Sequence, residues 1–224
     1  IFNTPRGFEV MIELDGIKTQ FTLGMTGAHW VTSAAMGLAL VHHVGGDIDA
    51  AATALEHQRD LDGRGARTKL TLNTTPFTLI DDSYNASPAS MTAGIASLAA
   101  TPMVHHGRKI AILADMLELG DDAPAYHRAL ASALKDGEID ILICFGPMMA
   151  HLADALSADH DHQIKFFHCD DADIAAQHLV AHLRSHDVVL VKGSNSMNAH
   201  SNTDFLKHRS HHGHGQKKGD PHAA

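Results

Sequence analysis

No glycine in this sequence is followed by lysine. A G-x-x-G-K-[ST] loop, whose backbone N–H groups and lysine would cradle nucleotide phosphates, is therefore absent from these 224 residues. Apolar runs of about 18 residues are also missing, and the first residues show no basic region followed by an apolar core. Neither a membrane span nor a signal peptide is expected, and the reading is a soluble, cytosolic chain. There are only two cysteines, Cys144 and Cys169, without CxxC or metal-type spacing. Both fall in predicted strands, where buried free thiols are expected. Cations are outnumbered: 17 Lys and Arg face 26 Asp and Glu, a formal charge of −9. That balance argues against nonspecific nucleic-acid binding, which draws on clustered cations to displace counterions around phosphate. The 20 histidines make the chain acidic only while they are neutral, above about pH 6.5.

What is present supports a folded chain. A hydrophobic content of 44% suffices for a core, and the length suits one large domain or about one and a half of average size. Phe8, Val10, Ile12 and Leu14 alternate on one predicted strand and Ile17, Phe21 and Leu23 on the next, with Asp15-Gly16, a favoured two-residue turn, between them. An Ala-rich helix is expected over 29–44, then a Gly45-Gly46 stop. A second helix follows from an Asp47 cap, with Ile48, Ala51, Ala52 and Leu55 on one face. Residues 58–66 hold charge and glycine with almost no apolar surface and read as a linker. Beyond them strands at 77–80, 109–113, 139–145, 164–168 and 188–191 alternate with helices at 88–99, 124–135, 148–156 and 171–183. Strict βα alternation implies an α/β, Rossmann-like, mostly parallel sheet with helices on both faces. No GxGxxG follows its first strand, which argues against a dinucleotide cofactor. From His208 the chain reads HRSHHGHGQKKGDPHAA and is expected to be disordered. His211, His212 and His214 offer imidazoles to Ni²⁺ or Zn²⁺, but a flexible set lacks supporting hydrogen bonds, and no metal site is assigned.

The densest chemistry lies in Leu79-Ile80-Asp81-Asp82-Ser83-Tyr84-Asn85-Ala86-Ser87-Pro88. Two acids, a hydroxyl, a phenol and an amide follow an apolar strand, and Ser87 and Pro88 suit the cap and first position of a helix. The C-terminal end of such a strand is where open α/β sheets bind ligands. The alternative is a βα turn in which Asp and Asn bond their own backbone.

This string resembles the DDSYNANP loop of the Mur ligase family, in the class that adds D-alanyl-D-alanine to UDP-N-acetylmuramoyl-tripeptide. Three collinear segments agree. Gly27-Ala28-His29-Trp30-Val31-Thr32-Ser33-Ala34 is similar to G-x-H-N-x-x-N-A, Leu113 to Gly120 to GDMLELG, and Val191-Lys192-Gly193-Ser194-Asn195-Ser196-Met197 to VKGS-x-x-M. With the phosphate loop missing, the resemblance implies a C-terminal portion. Residues 1–57 would be the tail of the central ATP-binding domain, 58–66 the linker, 67–207 the C-terminal domain and 208–224 the His-rich tail.

The resemblance also implies roles. Asp82 matches the family's ribose-binding aspartate, and a carboxylate at a strand end accepts from both ribose hydroxyls; Asp81 precedes it on the other side of the strand. Arg67 resembles the arginine that reaches the nucleotide when the domains close, by forking onto phosphate. A solvated linker charge is the alternative. His29 and Ser33 lie on the helix start that approaches adenine and the reacting groups. Here Trp30 and Ser33 stand where the family usually has asparagine, and an indole cannot supply a carboxamide's paired donor and acceptor. Ser83, Tyr84 and Asn85, with Lys192, Gly193 and Ser194, would form the dipeptide pocket, Lys192 neutralising its carboxylate. A polar loop topped by a solvated lysine is the alternative. Asp115 and Glu118 form a possible carboxylate pair on the neighbouring loop, which the family motif explains better than glycosidase chemistry.

The implied activity is ATP-dependent amide ligation through an acyl phosphate, with ATP and Mg²⁺ as cofactors. UDP-N-acetylmuramoyl-tripeptide and D-alanyl-D-alanine are the partners, the enzyme is monomeric and the product is a peptidoglycan precursor. This chain alone is expected to be inactive. A non-catalytic binding module, another amino acid ligase of the family and a His-rich metal carrier remain as alternatives.

Overall fold

The computed structural model describes residues 1–4, 7–25, 28–58, 61–159 and 161–212, with 2–4, 7, 28, 29, 211 and 212 described by their backbone alone. They form two compact units, Ile1–Leu61 and Asp62–Ala224.

In the first unit, β1 (Phe2–Thr4), β2 (Gly7–Leu14) and β3 (Ile17–Leu23) make an antiparallel sheet in that order. Leu14 pairs with Ile17, and Asp15 and Gly16 between them take φ of 49° and 82°. This left-handed pair matches the strand twist, as the Asp-Gly signal implies. The alternating Phe8, Val10, Phe21 and Leu23 bury against Val31, Ala34 and Leu38 of α1 (Ala28–His43) and Ala52 of α2 (Ile48–Glu56). Asp47 caps α2, its carboxylate accepting from the N–H groups of Asp49 and Ala50 at 3.0 Å each. Such a cap contributes about 1 kcal/mol.

The second unit runs β4 (Ala66–Leu72), β5 (Thr75–Asp82), α3 (Pro88–Ala99), β6 (Lys109–Ala114), α4 (Ala123–Asp136), β7 (Ile141–Phe145), α5 (Ala150–Ala158), β8 (Lys165–Cys169), α6 (Ala172–His182), β9 (Val188–Lys192) and α7 (Ala199–His212). Its six-stranded sheet has the order β4-β5-β9-β6-β7-β8, parallel throughout except for the antiparallel β4–β5 pair. Strand residues alternate between two cores. Ile80, Ala111, Leu113, Leu142 and Leu190 pack with Met91 and Ile95 of α3, Leu130 of α4 and Leu152 of α5. Leu79, Ile110, Ile112, Ile143, Val189 and Val191 pack with Ala175 and Leu179 of α6 and Leu206 of α7. Burial on both faces explains the uninterrupted apolar runs of β6, β7 and β9. Among the described residues no helix is long and apolar enough to cross a membrane.

Two elements escape the sequence patterns. β4 has only Leu70 and Leu72 facing the core, and its link to β5 turns at Asn73 and Thr74, with φ of 47° and 72°. Asn-Thr carries no glycine to announce a hairpin. α7 is polar, yet Ala199 and Leu206 bury completely, and Ser210 accepts a hydrogen bond from the Thr71 N–H at 3.1 Å. These anchors carry the helix through His212, so the disorder expected from His208 is corrected for 208–212. The rest of the tail, His214 included, lies outside the described residues.

At the opposite end of the sheet from the β5–α3 loop, Asp187 is fully buried and accepts from the backbone N–H of Arg108 and of Arg184 and from the Arg108 Nη2, at 2.9, 2.8 and 2.7 Å. Removing that carboxylate strands a charge and two backbone donors. Asp187→Ala is expected to lower the unfolding free energy by about 3–5 kcal/mol in urea titrations. The two thiols sit on opposite faces of the sheet, Cys144 in the α3–α5 core and Cys169 in the other, so they do not bridge. Burial, then the neighbouring Cys169 and Asp115, pushes Cys144 up to about 12, and burial, then Asp170 and Asp171, raises Cys169. Ellman's reagent at about pH 8 is expected to label neither thiol until the chain unfolds.

Candidate functional site

β9 lies between β5 and β6. The helices that follow β5 and β6 cover one face of the sheet, and α7, which follows β9, covers the other. Where neighbouring strands send their connections to opposite faces, a crevice opens beyond their C-terminal ends. The loops after β5, β9 and β6 meet there, and they carry three of the four segments singled out in the sequence.

Asp82 and Lys192 are cross-strand partners in the β5–β9 ladder. Facing the same side, they form an ion pair with Nζ 2.8 Å from Oδ2. The ammonium also donates to the Asn85 carbonyl at 2.9 Å. The Lys192 side chain is 2% exposed and that of Asp82 22%, so the cation is enclosed and the carboxylate is partly open. Lys192 is thus not the solvated loop-end cation that sequence alone allows. Its stem crosses α3 at Gly94, where a Cβ would lie 2.9 Å from Lys192 Cδ and 3.4 Å from Asp82 Oδ2. Gly94 is a site residue that the sequence reading missed; an isolated glycine inside a helix pattern was its signal.

Asp81 points to the other face. Its carboxylate accepts from Ser83 Oγ at 2.6 Å and from Lys207 Nζ of α7 at 2.7 Å, and Lys207 also reaches Asp62 at 3.4 Å. Burial opposes the charge on Lys207, but the bond to Asp81, its charge and that of Asp62 more than offset this and raise the lysine's pKa. Asp81 and Ser83 are both buried and fasten β5 to α7; the structure does not bring them to the open edge beside Asp82.

Tyr84 is exposed, with the Arg64 guanidinium 4.2 Å from its ring centre, and its N–H donates to the Gly63 carbonyl at 2.9 Å. The Asn85 Oδ1 accepts from the Ala86 N–H at 2.8 Å, and Ser87 closes a capping box with Ser90. Gly193 serves packing: a Cβ there would lie 2.5 Å from that of Ala114 and 3.0 Å from that of Ala199. Its bare backbone admits the start of α7 against the end of β6. Ser194 Oγ accepts from the Leu117 N–H at 3.1 Å, and the Ser194 N–H donates to the Asp115 carbonyl at 3.2 Å.

The Asp115 carboxylate is buried and accepts from the N–H groups of Met148 and Met149 at 3.0 and 2.9 Å. Glu118 is exposed, so the two acids do not form a working pair across a substrate. Beside Asp115, the buried His127 accepts the Met116 N–H on Nε2 at 3.0 Å; the proton therefore sits on Nδ1, 2.7 Å from the Ala123 carbonyl that receives it. His127 was also missed, although it shares the buried stripe of α4 with Leu130 and Leu134.

Arg67 is placed elsewhere. Paired with Ile80 in β4, it donates to Thr101 Oγ1 at 2.9 Å and to the Ser97 carbonyl and Oγ at 3.2 and 3.1 Å. Ser97 lies about 14 Å along α3 from the end that starts at the site. These bonds turn the guanidinium toward the helix's far end. His29 and Ser33 both lie on α1 in the first unit, Ser33 exposed and His29 described by its backbone alone.

A family model, the Mur ligase, glutamate ligase domain, matches residues 66–195. A UDP-N-acetylmuramoyl-tripeptide--D-alanyl-D-alanine ligase of Mycobacterium tuberculosis H37Rv is 32% identical over 204 residues, covering 84% of this chain and 40% of that protein. Its namesake from Escherichia coli K12 is 30% identical over 193 residues, covering 86% and 40%. The chain thus spans about 40% of the length of these curated relatives. Among solved structures, a MurF ligase of Thermotoga maritima in complex with ADP aligns over 93% of this chain and 45% of its own, with a TM-score of 0.72 at 20% identity. A MurF of Acinetobacter baumannii gives 0.74 at 21% identity over 91% and 43%. At such identities these structures speak for the fold. With more than half of its length matched by the family model, and the matched span holding the β5, β6 and β9 loops that meet at one sheet edge, the chain belongs to the Mur ligase family.

Proposed function

We propose that this chain is the C-terminal portion of an ATP-dependent amide ligase that adds D-alanyl-D-alanine to UDP-N-acetylmuramoyl-tripeptide, a step of peptidoglycan precursor synthesis. The observation that carries the reading is the joining of two family motifs at one point. Asp82 of the β5 loop and Lys192 of the β9 loop are an ion pair at the crevice of the sheet. The names of the curated relatives support the substrates, and the ADP bound in the Thermotoga maritima structure supports the nucleotide.

In this reading the partly open Asp82 carboxylate accepts from the nucleotide's ribose hydroxyls. Tyr84 and Asn85, exposed on the same loop, face the incoming dipeptide. ATP phosphorylates the tripeptide's terminal carboxylate and leaves as ADP; the dipeptide amine then attacks the acyl carbon, phosphate departs and the amine's proton passes to a base. His29, at the start of α1, is assigned to the reacting groups on resemblance alone. Ser194 and Gly193 support the loop from behind. The family reaction calls for Mg²⁺, but among the described residues no group of three or more His, Cys, Asp or Glu side chains gathers to hold a metal. Asp82 is paired with Lys192 and Asp81 with Ser83 and Lys207, so no step here is routed through the ion.

Two outcomes are expected. The 224-residue chain, with no Gly-Lys phosphate loop, shows no phosphate release dependent on D-alanyl-D-alanine when given ATP and UDP-N-acetylmuramoyl-tripeptide. In a longer protein that adds such a loop, release appears, and Asp82→Ala raises the KM for ATP by about tenfold or more while leaving that for the dipeptide within about threefold. Equal changes in both KM values would remove Asp82 from the ribose; turnover by the 224-residue chain alone would overturn its reading as a portion.

A further inference from the structure

We infer that Lys192 is a positioning residue for Asp82 and that Gly94 of α3 is the slot that lets it act. The inference rests on the reading of Asp82 as the ribose contact. It departs from the simplest view of the β9 loop, in which the lysine meets the dipeptide carboxylate.

A carboxylate that receives two vicinal hydroxyls must hold one orientation, and a lone aspartate at a strand end turns about χ1 and χ2. Here one oxygen is fixed. Lys192 Nζ holds Asp82 Oδ2 at 2.8 Å, and the same ammonium is braced by the Asn85 carbonyl at 2.9 Å. That second bond ties the aspartate's orientation to the turn carrying Tyr84 and Asn85. The ammonium approaches from the neighbouring strand, since Asp82 and Lys192 are register partners, and 22% of the Asp82 side chain stays accessible beside it. An aspartate so held needs no ordering when the nucleotide arrives, which is how preorganisation improves affinity.

The four-carbon stem has to lie flat between β9 and α3 for the ammonium to reach this point. Every side chain larger than hydrogen at position 94 enters that path: a Cβ would be 2.9 Å from Lys192 Cδ and 3.4 Å from Asp82 Oδ2. Gly94 is itself buried in the middle of a helix, where alanine is the better helix former. Helix stability alone would favour alanine there, and the lysine's path accounts for the glycine. Lys192 spends its charge inside the protein, so its effect reaches ligands through Asp82.

The test uses the longer protein that adds the Gly-Lys phosphate loop, ADP as probe and three variants: Gly94→Ala, Lys192→Met and Asp82→Asn. The ammonium ¹H–¹⁵N signal of Lys192 is expected in the wild type and lost in Asp82→Asn. Titration with ADP, followed at the amides of Asp82 to Asn85, is expected to weaken by about fivefold or more in both Lys192→Met and Gly94→Ala. Gly94→Ala is expected to melt at or within about 2 °C of the wild type, because the clash falls on a flexible stem and the helix gains propensity. A merely structural glycine would show a fall in melting temperature with affinity unchanged. If both variants bind ADP as the wild type does, the inference is overturned while the ribose reading stands. If the wild type shows no ADP response at these amides, the ribose reading falls and takes the inference with it. Should Lys192→Met fail to fold, Gly94→Ala carries the decision alone.

Discussion

A parallel strand slotted between two others, with its following helix on the opposite face, sets the geometry on which the rest of the second unit depends. Because β9 lies between β5 and β6, Lys192 must stand beside Asp82 in register. Both face α3, and an enclosed ammonium next to a carboxylate is stable only as a pair. Register therefore turns two residues far apart in sequence into one electrostatic unit. Gly94 and the Asn85 carbonyl follow as its conditions, one providing room for the stem and the other completing the ammonium's hydrogen bonding.

The same edge is fixed from behind by bonds that leave the crevice itself alone. Ser194 receives the Leu117 N–H, Asp115 receives those of Met148 and Met149, and His127 receives that of Met116. Each acceptor satisfies a backbone donor that a buried loop would otherwise leave unpaired. On the other face, Asp81 and Lys207 fasten β5 to α7 and, through Asp62, to the turn that precedes β4. Two adjacent aspartates thus divide the labour by strand alternation alone: Asp81 secures the fold and Asp82 meets the crevice.

Much of this was legible in the sequence because it depends on local rules. The Asp15-Gly16 hairpin, the Asp47 and Ser87 caps and the doubly covered strands all declare themselves by turn chemistry or periodicity. β4 and α7 did not, since tertiary anchors outweigh weak patterns in both: two leucines in one, a buried Ala199 and Leu206 in the other. The site shows the same division. Residue types in the β5 and β9 loops point to a ligand edge, but which groups remain open depends on partners distant in the chain. Lys207 takes Asp81, the end of α3 takes Arg67, and the Ala114 and Ala199 methyls take the space at Gly193. No spacing rule on one chain announces such pairings.

The central claim is that Asp82 and Lys192 act as one unit, and a double-mutant cycle on stability measures this most directly. Asp82→Asn, Lys192→Met and the double variant would be unfolded in urea and their free energies compared. Coupled neighbours give an interaction energy of about 0.5–3 kcal/mol, with the double variant less destabilised than the sum of the singles. Additivity within about 0.5 kcal/mol would show that the two side chains stand independently and would contradict the account.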